Sequence, residues 1–149
     1  MKKVYFLITA ALLLSGCSQP DSAQLDDTEL QFTDQKWELV RMTGSIPNSE
    51  TTGAGMEWQE YYVFGLDGTF EKIRSRAGIT SKATGTFEVA EYNNDDADYL
   101  ELSYQSGLEL IATCYGDQKE VLIYRSSAEI SNTWLACDGP GLDYKLVED

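Results

Sequence analysis

Three arginines carry the plainest chemistry in the chain. Arg41, Arg74 and Arg125 each end an alternating row: Trp37 and Leu39 precede Arg41, Phe70 precedes Arg74, and Val121 and Ile123 precede Arg125. A guanidinium presents a planar fork of donors that matches a carboxylate. Three of them closing apolar rows would form a basic collar around an apolar cavity and hold the acidic head of an amphipathic ligand. The connection 43–57, rich in Gly, Ser and Thr, is long enough to serve as a lid over such a cavity. Trp58 and Tyr62, with Met56 and Tyr61, flank that lid, and aromatic rings with a polar tip suit a half-wet mouth. The competing reading leaves the arginines in solvent, paired with surface carboxylates.

Other chemistries are excluded by what is missing. The 149 residues include no histidine, which removes the usual general base of hydrolase triads and the commonest transition-metal ligand. No nucleophile and base, metal set or phosphate-cradling loop can be assembled, so the expectation is a binding protein with no catalytic residues, metal or cofactor. The run Asn93-Asn94-Asp95-Asp96-Ala97-Asp98 offers hard oxygen donors. It lacks the alternating acids, central Gly and distant Glu of a calcium loop, and reads as a solvated turn. With 25 acidic against 11 basic residues, a net charge of −14, nucleic acid is excluded as a partner because a phosphate backbone rewards a basic stripe. Cationic or neutral partners remain.

The elements that must position these residues are strands. From residue 35 onward the chain alternates or is rich in β-branched and aromatic residues, with turn residues roughly every 8 to 12 positions. The spacing predicts strands at 36–42, 59–65, 69–76, 82–91, 98–105, 107–115, 119–126, 131–137 and 142–147. Leu66-Asp67-Gly68 makes a tight hairpin between the second and third. Alternation turns inward Trp37 and Leu39; Tyr62 and Phe64; Leu100, Leu102 and Tyr104; and Leu108, Leu110 and Ala112. Short connections favour an all-β fold, an up-and-down antiparallel β-barrel of about eight to nine strands. In that topology the first, third and seventh strands end at one rim, which gathers the three arginines.

The N-terminus reads as an address. Lys2 and Lys3 form a basic tip, 4–14 is apolar but too short to span a bilayer, and Leu14-Ser15-Gly16-Cys17 is a small-residue cleavage site. This segment resembles the lipobox of bacterial lipoproteins. The resemblance implies removal of 1–16 and acylation of Cys17, which anchors the chain to a membrane. Residues 17–34 then form an acidic tether with a reach of about 23 Å, and 35–149 the domain. Ser18 is not the retention signal that Asp would be there, so the expected site is the cell envelope, with the outer membrane ahead of the inner.

With Cys17 used by lipid, Cys114 and Cys137 remain as a pair in an exported protein and are expected to form a disulfide. Its expected place is the barrel end opposite the arginine rim.

The domain resembles the lipocalin-like domains of small bacterial lipoproteins. The likeness rests on a Trp opening the first strand, then Val63-Phe64-Gly65-Leu66-Asp67-Gly68-Thr69-Phe70 and Gly85-Thr86-Phe87-Glu88-Val89; lipocalins usually place Gly two residues before that Trp, where this chain has Gln35. It implies a barrel closed at one end that binds or carries a small hydrophobic or amphipathic ligand. A second reading is an acidic interaction module that binds a cationic envelope protein, as lipoprotein inhibitors of lysozyme do, with charge supplying the on-rate. The two readings differ in whether the interior is hollow.

Overall fold

The computed structural model describes residues 34–92, 97–114 and 116–147. The expected signal segment, the lipidation site Cys17, most of the tether and most of the 93–98 run lie outside the described residues. The strands are β1 Gln35–Thr43, β2 Thr51–Thr52, β3 Gln59–Phe64, β4 Thr69–Arg76, β5 Ile79–Glu91, β6 Asp98–Ser106, β7 Lys119–Ser126, β8 Glu129–Asn132 and β9 Gly141–Leu146. All pairings are antiparallel between neighbours, and β9 returns to β1 from Trp37↔Leu146 to Thr43↔Gly141. The fold is therefore an all-β, closed eight-stranded antiparallel barrel. The two-residue β2 rides on β1 beyond the end of β3. Closure leaves no open edge to template aggregation. Among the described residues, every strand and every core residue lies between Gln35 and Leu146.

The inward rows follow the alternation. Trp37, Leu39, Tyr62, Phe64, Leu100, Leu102 and Tyr104 are all buried in one core, joined by Phe70, Leu122, Ile130, Leu142 and Tyr144. Aromatic edges meet faces through this core, with ring centroids 4.9 Å apart for Phe64 and Phe87 and for Phe70 and Tyr104. The β3–β4 hairpin closes as expected. Gly68 takes φ 78°, and the Asp67 carboxylate accepts from the Thr69 amide at 3.1 Å and its hydroxyl at 2.6 Å.

Two expected strands are corrected. Of the strand expected at 107–115, the described residues 107–114 form none. Gly107 adopts φ 66°, close enough to β5 that a Cβ would meet the Lys82 carbonyl oxygen at 2.5 Å. The chain turns there into a 3-10 turn, Leu108–Leu110, that crosses the barrel end. Leu110 and Ala112 are buried as expected, but Leu108 is exposed. The strand expected at 131–137 starts and ends earlier, as β8, and Trp134–Cys137 is a 3-10 turn. Because β6 pairs directly with β7, β7 runs opposite to the expected direction. The connections 44–58, 107–118 and 133–140 all gather at one end, the mouth. The Cys114–Cys137 disulfide joins two of them, with a Cα separation of 5.7 Å. It therefore sits at the same end as the long connection after β1, not opposite it.

Close packing of backbone makes one glycine a sharp test. A Cβ on Gly85 would lie 2.0 Å from the Ser103 carbonyl oxygen and 2.7 Å from the Phe70 ring, beside the bulge at Thr84 and Gly85. Gly85→Ala is expected to lower the urea unfolding free energy by about 3 kcal/mol, whereas Gly55→Ala, with open space around it, should stay within about 0.5 kcal/mol.

Candidate functional site

The barrel interior is occupied by an ionic cluster. On β3 the row of Tyr62 and Phe64 begins with Glu60; on β4 the row of Phe70 continues with Lys72 and Arg74; on β7 the row of Leu122 begins with Glu120. Strand parity turns all four charged side chains inward. Glu60, Lys72 and Glu120 have no exposed side-chain surface, and Arg74 very little. The Lys72 ammonium donates to the Leu110 carbonyl at 2.8 Å and to the two Glu120 oxygens at 3.0 and 3.3 Å, and it stands 3.4 Å from Glu60 as an ion pair. Arg74 Nε donates to the second oxygen of Glu60, and its guanidinium lies 4.6 Å from the centroid of the Trp58 ring. The Tyr62 hydroxyl donates to Glu120 at 2.9 Å, Tyr104 donates to the other Glu120 oxygen, and Tyr144 donates to Glu60 at 2.5 Å.

Two carboxylates and two cations make this cluster neutral, and each carboxylate oxygen has a donor. Burial, followed by the nearby Glu120 charge, pushes the Tyr62 and Tyr104 hydroxyls well above the usual tyrosine range; for Tyr144 it is burial and then Glu60. These phenols stay protonated and act as donors.

The five residues expected to contact ligand separate into two places. Arg74, Trp58 and Tyr62 come together at the buried mouth, where each is engaged with protein groups. Arg41 and Arg125 lie on the outer wall. Arg41 donates to Asp143 at 2.7 Å and to Glu50 at 3.2 Å, and Arg125 donates to Ser131 at 3.4 Å. No collar of three arginines forms, because the reversal of β7 carries Arg125 to the end away from Arg74. Sequence reasoning missed Glu60, Lys72 and Glu120 as interior groups, although each shares the parity of the apolar row on its own strand.

Two of the open grooves on the outer wall bear on binding. One, of about 460 Å³, is lined by Tyr92, Tyr99, Glu101, Asp117, Lys119 and Val121. Glu88 stands directly opposite Glu101 in the β5–β6 register, and like charges so placed repel. Lys119 bonds to Glu101, and its ammonium is held above the usual lysine range by that bond and charge first, with further support from Asp117 and Glu88. Tyr92 and Tyr99 meet edge to face at 4.8 Å. Three acids around one lysine leave this patch negative beside two aromatic rings. The other groove, of about 630 Å³, lies over β7, β8, β9 and β1.

The interior cluster makes two predictions. Lys72→Met leaves two carboxylates facing each other without their shared cation and is expected to cost about 3 to 5 kcal/mol in urea unfolding. Adding Glu120→Gln should restore part of that loss, which a double-mutant cycle reads directly.

The tyrosines set an alkaline limit. In the unfolded chain they ionise near 10, whereas Tyr62, Tyr104 and Tyr144 in the folded barrel keep their protons. The unfolded state then binds fewer protons, so stability present in full below pH 10 falls as pH rises beyond it, on the order of 4 kcal/mol per pH unit for three such groups. Tyrosinate absorbance should appear for these three only together with loss of the near-ultraviolet circular dichroism. No family model, curated protein or solved structure matches the chain.

Proposed function

We propose that this is a non-enzymatic binding module of the bacterial cell envelope, tethered to the outer membrane through an acylated Cys17, whose outer wall over β5–β7 receives a cationic protein. The observation that carries the reading is the acid-aromatic patch of Glu88, Glu101, Asp117, Tyr92 and Tyr99. Two glutamates kept directly opposite each other weaken the sheet locally, and a partner's lysine or arginine would relieve that repulsion while its stem packs on the rings. The rest of the surface supports the same sign of partner. Among the described residues, the surface cations Lys36, Arg41, Arg76, Lys82 and Lys119 each stand within ion-pair distance of a carboxylate. Among the same described residues, Glu88, Glu91, Asp98, Glu109, Asp117 and Asp138 stand within that distance of no cation. The lipocalin-like resemblance is kept here as a reading of architecture. A ligand carried inside the barrel is the weaker alternative, since Tyr62, Phe64, Phe70, Lys72, Leu102 and Glu120 fill that space.

The test is capture of basic envelope proteins, with lysozyme as a purified probe, by residues 18–149 exported through an oxidising periplasm. Binding should weaken about tenfold from low to physiological salt. The pair Glu88→Gln and Asp117→Asn should weaken it about tenfold more while raising stability by a few tenths of a kcal/mol, which separates loss of binding from misfolding. Capture that is indifferent to salt and to this pair overturns the reading.

A further inference from the structure

The larger outer groove is a different site with a different chemistry. Its floor is one row of outward side chains that crosses the wall at right angles to the strands: Tyr99 pairs with Ile123, Ile123 with Ser131, Ser131 with Asp143, and Asp143 with Arg41. One side is raised by Leu135 and Ala136 of the 3-10 turn Trp134–Cys137. That turn is fixed from three directions. Thr133 Oγ1 donates to the Val121 carbonyl at 3.0 Å, Asn132 Nδ2 donates to the Pro140 carbonyl at 3.1 Å, and Cys137 is bonded to Cys114. Ile123 faces outward yet is only 8% exposed, whereas Leu135 is 46% exposed. The groove thus offers a preformed apolar side to solvent.

Its charges are unevenly committed. Asp143 is fully engaged: one oxygen accepts from Arg41 Nε at 2.7 Å, with a second Arg41 nitrogen at the same distance, and the other accepts from Ser131 at 2.6 Å. Glu129, at the far edge, stands opposite Lys145 in the β8–β9 register. Arg125 reaches only the Ser131 hydroxyl, at 3.4 Å, through Nε. Among the described residues its terminal nitrogens have no carboxylate within ion-pair distance, in a chain where acids outnumber bases by more than two to one. A guanidinium without a counter-anion, beside an apolar wall, is complementary to a carboxylate that carries its own apolar body.

We infer that this groove binds an amphipathic monocarboxylate, with its head on Arg125 and its chain along Ile123, Leu135 and Ala136. A single charge suits the site better than a phosphate dianion, because Asp143 and Glu129 stand nearby and repel each further negative charge. The volume, about 630 Å³, fits a small molecule. The inference is independent of the cationic-partner reading, which uses Glu88, Glu101 and Asp117.

Titration calorimetry with dodecanoate, dodecanol and butyrate, each below its aggregation limit, tests it on residues 18–149. Dodecanoate should bind, dodecanol should bind about tenfold more weakly, and butyrate should give no heat of binding. Arg125→Gln, at an exposed position, should weaken dodecanoate about tenfold and leave dodecanol unchanged. Leu135→Gln should weaken both. Lys82→Gln, elsewhere on the wall, and the Glu88→Gln, Asp117→Asn pair should change neither. Amide shifts on adding dodecanoate should centre on β7, β8 and 133–137. Absence of dodecanoate binding, equal affinity in Arg125→Gln, or shifts centred on the interior rows of β3 and β4 would each overturn the site.

Discussion

Everything in this barrel is arranged around a lysine ammonium that has lost all its water. Moving a charge of that kind into a protein interior costs several kcal/mol unless every proton finds an acceptor and the net charge is cancelled nearby. Lys72 meets both conditions: the Leu110 carbonyl and the two Glu120 oxygens accept its protons, and Glu60 adds a second negative charge at ion-pair distance. The second carboxylate would itself be stranded without Arg74, and the carboxylate oxygens still need the three tyrosine hydroxyls. Residues from β3, β4, β6, β7 and β9 are thereby tied to one another across the barrel axis. A slip of one residue in the pairing of β4 would send Lys72 outward and Glu71 or Ile73 inward, leaving the partners uncompensated. Hydrophobic packing alone punishes such a slip; the ionic cluster punishes it more.

The same cluster fills the space that a ligand carried inside the barrel would need. A hollow barrel keeps its inward positions apolar and small, whereas here Tyr62, Tyr104, Tyr144, Lys72 and Glu120 meet at the axis and satisfy one another. Admitting a ligand would mean breaking charge-assisted hydrogen bonds in a low-dielectric space. The outer wall carries no such penalty. Its outward rows contain acids in excess of cations on one side and, among the described residues, an arginine without a carboxylate at ion-pair distance on the other, and each side has open, partly apolar grooves.

The sequence made most of this fold legible and hid the interior for a specific reason. Alternation located the eight closing strands to within a few residues and turned Trp37, Tyr62, Phe64, Leu100 and Leu102 to the correct side. It failed at 107–112, where Leu108, Leu110 and Ala112 mimic a strand. Gly107 in the left-handed region bends the chain across the mouth, and burial of Leu110 and Ala112 there has nothing to do with pairing. That error propagated, since an extra strand reversed β7 and placed Arg125 and the disulfide at the wrong ends. Residue type argues for an outward place for charged side chains, yet Glu60, Lys72 and Glu120 share the parity of apolar rows. Two acids and two bases on inward parity were the available signal of a closed internal cluster.

The interior and the outer grooves are mechanically one object. The Leu110 carbonyl that solvates Lys72 belongs to the connection 107–118, which is pinned over the mouth by that bond and by Arg74. Four residues further on, Cys114 is bonded to Cys137, the last residue of the 3-10 turn that carries Leu135 and Ala136. The raised side of the larger groove therefore rests, through a disulfide and one short segment, on the buried ammonium. A groove wall made of a lone four-residue turn would ordinarily fray, because short 3-10 segments hold themselves together poorly. Here its position is inherited from the most constrained point in the molecule. A small barrel with a filled core can hold a surface groove in one shape in this way, since rigidity gained inside is transmitted to the wall.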